Sequence, residues 1–375
     1  MKIVCDDKIP FLRGVFEPYA EVVYLPGKDT DAETVKDADA IITRTRTACG
    51  KQLLEGSGVK IIATATIGYD HIDTRWCDAH EVAWTNAPGC NSGSVMQYIV
   101  SVLCVLAERF SLRFEDLTIG VVGVGNVGSK VVSAARALGM NVLQCDPPRA
   151  RREGPGEFVS LDEIIRKADI ITCHVPLIEN GPDKTRHLFD AGRIALLREN
   201  QILINSSRGA VIEGDALKDS LKAGALKAAV LDVWESEPQV DRELLGLLAI
   251  ATPHIAGYSA DGKANGTAAS VQAVAKFFGL PLEGWRPEGI PAPRQALEIG
   301  IDASGKTFRQ VICEAVLHSY DVREDDRSLR KNPELFEKLR GDYPIRREFG
   351  CFSVKLQNGS AQEEEALAAL GFRLK

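Results

Sequence analysis

The chain has 375 residues, 45% of them hydrophobic and 26% charged, with 33 glycines and a net charge of -7. This length exceeds one compact core and predicts two or three domains, and the negative balance excludes a sequence-wide nucleic-acid footprint, so no nucleic-acid partner is expected. No run reads as a membrane span, the first residues read as a strand and not a leader, and nine cysteines without metal-ligand spacing read as free thiols of a cytoplasmic protein.

From residue 1 to about 90, short β-rich runs alternate with polar helical stretches: KIVCDD, VVYLP from Val22, AIITR from Ala40, KIIATAT from Lys60 and VAWTNAP from Val82. That alternation predicts parallel βαβ units. The segment from Ser94 to Phe110 is apolar around most of its circumference and predicts a buried helix. A second alternating series starts at TIGVVGVGNVGSKVVSAARALG and runs through NVLQCD, IITCHVP, ILINSS, AAVLDV and AIATPHIAG. Ser160 and Glu163 suit a capping box, and Gly224 suits the end of a helix begun near Gly214. A helix from Thr267 leads to a Pro/Gly-rich linker over 279–295, then to a small α+β module ending in the strand-like CFSVKLQ. The expected architecture is α/β. Two doubly wound parallel-sheet domains, a flavodoxin-like one (1–93 and 259–285) and a Rossmann-type one (94–258), flank a cleft, and a C-terminal module (286–375) carries a homodimer contact.

Gly123-Val-Gly125-Asn-Val-Gly128 follows an apolar strand and opens a helix, and Asp146 closes the next strand. In that context Gly123 allows the turn, Gly125 lets backbone approach a pyrophosphate, Gly128 lets helix and strand pack, and Asp146 accepts from a ribose. The carboxylate favours NAD over NADP, although Arg149, Arg151 and Arg152 stand close in sequence and could hold an extra phosphate.

If a nicotinamide dinucleotide seated on that turn oxidises an alcohol, a base must take the hydroxyl proton. His254 is the candidate because TPHIAG follows a strand at the end where open α/β sheets bind ligands. Glu237, just past LDVW, would orient it, and Arg208, after ILINSS, offers a fork that suits a carboxylate. Arg44 and Arg46 suit a phosphate, but on one strand they would oppose Thr45, so a loop must begin there for the three to converge. Arg346 and Arg347 read as a surface charge pair, with reach into a partner's site as the alternative.

ATIGYDHID, NAPGCNSGSV, the glycine motif, HVP, INSSRGAVIE, LDVWESEP and TPHIAG together resemble the D-2-hydroxyacid dehydrogenases over the whole chain. HIAGYSADGKANGT and YPIRREF look closest to a branch of that family acting on a phosphorylated sugar acid. The resemblance implies NAD-dependent hydride transfer from C2 of a small 2-hydroxy acid, with Arg208 polarising the substrate, Glu237 as partner and His254 as proton donor or acceptor. It places Asn126, Val127, Val175, Ser206, Ser207 and Gly257 along the dinucleotide, and Thr45, Thr66 and Tyr258 at the substrate. It puts Asp232 near the carboxamide or ring nitrogen, with a turn or capping aspartate as the alternative. Other members acting on 3-phosphoglycerate or glyoxylate, and a non-catalytic NAD-sensing scaffold, are the rival readings.

Overall fold

The computed structural model describes residues 1–375, and the chain forms two compact units, Met1–Asn91 with Ser259–Ala292, and Ser92–Tyr258 with Pro293–Lys375. The first is built on a five-stranded parallel sheet of β1 (Lys2–Asp6), β2 (Glu21–Leu25), β3 (Ala40–Thr43), β4 (Ile61–Thr64) and β5 (Ala83–Thr85) in the order β2-β1-β3-β4-β5. This is the flavodoxin-type order. Every residue of β3 and β4 is buried, as expected of central parallel strands covered on both faces, while β2 and β5 at the edges keep partial exposure. The helix Ala260–Phe278 covers one face through Val271 and Val274, packed with Ile3, Ile42 and Ala63.

That helix begins well before the expected Thr267. Gly262 and Gly266 lower helix propensity and mask the start in the sequence, but Ser259 caps it through Gly262 N–H at 2.8 Å. Gly266 is there for a packing reason: a Cβ on it would stand 2.3 Å from the Ala65 carbonyl oxygen.

The second unit carries a six-stranded sheet of β6 (Thr118–Val122), β7 (Asn141–Cys145), β8 (Ile170–Cys173), β9 (Ile202–Asn205), β10 (Ala228–Leu231) and β11 (Ile250–Ala251), all parallel, in the order β11-β10-β9-β8-β6-β7. A further parallel bridge joins Gln144 to Phe158 outside β7. Counting it as a residual strand, the order is that of dinucleotide-binding sheets, with the switch point between β6 and β8. Ser160 caps the Leu161–Lys167 helix through Glu163 N–H, but the Glu163 carboxylate pairs with Lys167 and the expected capping box is half made.

Residues 293–375 add a three-stranded parallel sheet of β12 (Glu298–Asp302), β13 (Ser353–Gln357) and β14 (Arg373–Leu374) with helices between them. This module has no separate core. Val311, Ile312, Ala315, Phe352 and Leu367 belong to the same buried cluster as Ile99, Leu103 and Leu106 of the helix Ser92–Phe110 and Val131 and Ala135 of the helix Asn126–Ala137. The helix Ser92–Phe110 is apolar and long enough to cross a bilayer by composition, which the sequence reading did not register, yet most of it is buried in this shared core. Its polar groups are bound there too: Ser101 Oγ donates to Tyr320 O and accepts from Val322 N–H, and Arg309 holds the carbonyls of Ala107 and Leu112. A chain ended at Ala292 would expose that face, so we expect it to lose the cooperative thermal unfolding transition of the full chain and to aggregate. Calorimetry and light scattering on the two lengths check this.

Candidate active site

Three loops leave the C-terminal ends of the adjacent strands β9, β10 and β11, where Leu231 is in register with both Asn205 and Ala251. Arg208 follows β9, Glu237 follows β10 and His254 follows β11. With neighbouring strands about 4.8 Å apart, the three share one end of the sheet. The glycine turn leaves the same end of β6.

The Arg208 turn is pinned by Asn205, whose Oδ1 accepts from Ser207 N–H and Oγ and whose Nδ2 donates to Arg208 O. Gly209 then passes so close to the β10 loop that a Cβ on it would lie 2.0 Å from Trp234 O. Only glycine allows this approach of the Arg208 and Glu237 loops.

His254 has φ 57, a left-handed conformation rare for histidine, and its surroundings hold it there. Its N–H donates to Asp232 O, and the buried Asp232 carboxylate accepts from Ile255 N–H, Ala256 N–H and Thr252 Oγ1. Thr252 is itself joined to Tyr98, and its carbonyl accepts from the Trp234 indole. The turn-aspartate reading of Asp232 is therefore realised. Its Oδ2 accepts a single hydrogen bond and retains capacity for one more donor.

His254 Nδ1 lies 2.7 Å from Glu237 Oε2, and Glu237 Oε1 accepts from Trp234 N–H at 2.8 Å. Burial alone would raise the Glu237 carboxyl, but the hydrogen bond and charge of His254, the Trp234 N–H and the Arg340 guanidinium outweigh it and hold the group below the usual carboxylate range. An ionised carboxylate only accepts, so the proton of neutral His254 sits on Nδ1 and the lone pair on Nε2. In that tautomer Nε2 has the lone pair that a general base uses.

The three glycines of the turn differ in their surroundings. A Cβ on Gly123 would meet His174 O at 2.6 Å and one on Gly128 would meet Gly123 O at 1.9 Å, whereas one on Gly125 would meet no protein atom within 4 Å. Gly125 thus faces open space at the start of the Asn126–Ala137 helix, whose N-terminal N–H groups suit a pyrophosphate. The Ser206 hydroxyl is buried without a partner, as a group awaiting a ligand would be. Asp146 accepts from Val124 N–H and Arg149 N–H, so it braces the glycine turn. Arg149 is engaged by Val124 O and by both oxygens of Glu153, Arg151 by Asp183 and Arg152 by Glu153. These ion pairs answer the three arginines' charge from within the protein, and the NAD preference stands. Val175 lines the same turn, its Cγ1 lying 2.8 Å from where a Gly123 Cβ would be.

In the first unit β3 ends at Thr43, so the chain leaves the strand at Arg44 and turns at Thr45 and Arg46, which meets the condition set for their convergence. Arg44 Nε pairs with the buried Asp6 carboxylate at 3.3 Å. Thr66 Oγ1 donates to Gly68 O and accepts from Thr64. In the second unit Tyr258 meets Tyr343 edge to face at 5.8 Å and lies beneath the Arg340 guanidinium. Burial pushes His174 down to about 3, and it is bonded to Thr172.

Sequence reasoning missed Asn205, Thr252 and Arg346. A polar residue closing an all-buried strand was a signal for Asn205. Arg346 is not a surface charge: it is 5% exposed.

Fold and site together define an NAD-dependent D-2-hydroxyacid dehydrogenase. Residues 106–256 match the NAD-binding domain of the D-isomer specific 2-hydroxyacid dehydrogenases, and residues 293–371 match a domain of unknown function. Erythronate-4-phosphate dehydrogenase of Bacteroides fragilis is 50% identical over 355 residues, 94% of this chain and 99% of that one, and the enzyme of that name from Proteus mirabilis is 41% identical over 99% of both. The D-lactate dehydrogenase of Aquifex aeolicus, solved with NAD and lactic acid, is 25% identical with a TM-score of 0.62 over 78% of this chain and all of its own. The chain belongs to the erythronate-4-phosphate dehydrogenase family.

Proposed function

We propose that this chain oxidises 4-phospho-D-erythronate at C2 to 2-oxo-3-hydroxy-4-phosphobutanoate, a step of pyridoxal 5′-phosphate biosynthesis. The observation that carries the reading is the His254–Glu237 pair at 2.7 Å, on the loops after β11 and β10, with Arg208 on the loop after β9 beside β10, in a chain 50% identical to a relative of that name. NAD, when bound, supplies the acceptor for the hydride that leaves C2 with the electron pair of the C–H bond. His254 Nε2 takes the hydroxyl proton as the carbonyl forms, and Glu237 stabilises the resulting imidazolium. Arg208 holds the substrate carboxylate and polarises the C2 oxygen. Asn126, Val127, Val175, Ser206, Ser207 and Gly257 contribute cofactor contacts with the glycine turn, and the spare lone pair of Asp232 Oδ2 suits a carboxamide N–H. Thr45, Thr66 and Tyr258 contact the substrate, and Arg44 and Arg46 hold its phosphate. In the same reading the C-terminal module (286–375) carries a homodimer contact and the enzyme works in the cytoplasm.

A substrate panel tests this. NADH formation should be fastest, by kcat/KM, with 4-phospho-D-erythronate. A greater value with 3-phosphoglycerate or glyoxylate-type acids would move the chain to another substrate, and NADH binding without turnover of any acid would make it a sensor.

A further inference from the structure

We propose that Arg346 is a positioning residue for His254, through which the C-terminal module sets the geometry of the base; this rests on the reading of His254 as the base. Arg346 Nη2 donates to Ala256 O at 2.5 Å and to Ser94 O at 3.3 Å. The peptide groups after His254 are thereby gripped from two sides. Asp232 binds the N–H groups of Ile255 and Ala256 from the end of β10, and Arg346 binds the Ala256 carbonyl from residues added beyond the dinucleotide sheet. A left-handed histidine persists only where its neighbours over-determine it, and the Ala256 carbonyl is the part of that turn that Asp232, an acceptor, cannot hold.

Arg346 is itself fixed. Its guanidinium lies 4.4 Å from the Tyr320 ring centroid, and the hydroxyls of Tyr320 and Tyr343 both donate to Asp325 Oδ2, at 2.7 and 2.8 Å. The ring of Tyr343 meets Tyr258 at the far end of the same turn. Next to Arg346, the Arg347 carbonyl accepts from Gln97 Nε2 and the Glu348 carboxylate accepts from Ser94 Oγ, which ties this segment to the start of the Ser92–Phe110 helix. Two nitrogens of Arg346, Nε and Nη1, find no acceptor although the side chain is buried. A buried cation with unmet donors costs stability, and an apolar residue of similar length would fill the space without that cost. What the apolar residue could not do is hold the Ala256 carbonyl.

The test uses the full chain with Arg346→Met and Asp325→Asn together, so that neither charge is left alone, and Arg346→Lys as a milder variant. Each is made in the wild type and in His254→Ala. Misplacing a base by a fraction of an ångström costs about tenfold to a hundredfold, so kcat should fall by that factor with KM for NAD within about twofold. In the His254→Ala background the same changes should cost nothing further, because the group they position is gone. If the double variant fails to fold, Arg346→Lys, which keeps the charge but puts it on a shorter, flexible stem away from the place of Nη2, should lower kcat about fivefold and again only where His254 is present. An unchanged kcat in a folded variant, or equal losses in both backgrounds, overturns the proposal. Equal rates for wild type and His254→Ala would instead remove the base itself, so the two failures are distinguishable.

Discussion

His254→Ala should lower kcat for NADH formation by about a hundredfold to ten-thousandfold while leaving NAD affinity close to that of the wild type. The loss falls on kcat because His254 acts on the hydroxyl proton as hydride leaves, and because the loop that carries it is held by Asp232 and not by its own side chain. Glu237→Gln should cost less, since the amide can still accept from Nδ1–H but carries no charge to stabilise the imidazolium. Its pH signature has a defined sign. The Glu237 carboxyl is held below its ordinary value in the folded chain, so it binds fewer protons there than when unfolded. Its contribution to stability is therefore present above the ordinary carboxylate value of 4.5 and is lost as pH falls through the lower folded value. Melting temperatures of wild type and Glu237→Gln should differ at neutral pH and converge in acid. A gap that widens in acid would mean that the carboxylate is not ionised beside His254. Stopped-flow NADH formation and NAD titration by protein fluorescence check the kinetic half.

The strand pattern of both sheets was legible because parallel strands buried on both faces are short, β-branched and apolar, as in AIIT and ILIN. The shared position of Arg208, Glu237 and His254 at one end of the sheet was legible because each follows such a strand. Other features depended on contacts the sequence does not display. The start of the Ala260–Phe278 helix was hidden by two glycines, one of which is needed for the approach to Ala65 O. The C-terminal module reads as an appendage from its change in texture after the linker, but its apolar residues share one core with the helices Ser92–Phe110 and Asn126–Ala137. For the same reason the arginine pair at 346 and 347 looks like a solvated surface feature. Nothing local in YPIRREF shows that a carbonyl of the His254 loop and a tyrosine ring wait for Arg346.

Alanine at two positions of the glycine turn should separate folding from cofactor binding. At Gly128 the added Cβ would stand 1.9 Å from Gly123 O, far inside contact, and the atom it meets is backbone that also carries the positive φ of Gly123. The Asn126–Ala137 helix would have to move off the end of β6, taking Val131 and Ala135 out of the core they share with Ile99 and Leu103. Gly128→Ala should therefore lose several kcal/mol of stability, as overpacked backbone contacts do, and bind NAD poorly as a consequence. At Gly125 the Cβ meets no protein atom within 4 Å, so Gly125→Ala should unfold at the wild-type temperature. The methyl would nevertheless stand where the turn opens to the pyrophosphate, and NAD affinity should fall about a hundredfold or more. Thermal unfolding and NAD titration on the two variants check the pair. If Gly125→Ala kept wild-type NAD affinity, the open space at that turn would not be the pyrophosphate cradle, and the cofactor would have to sit elsewhere along the end of the sheet.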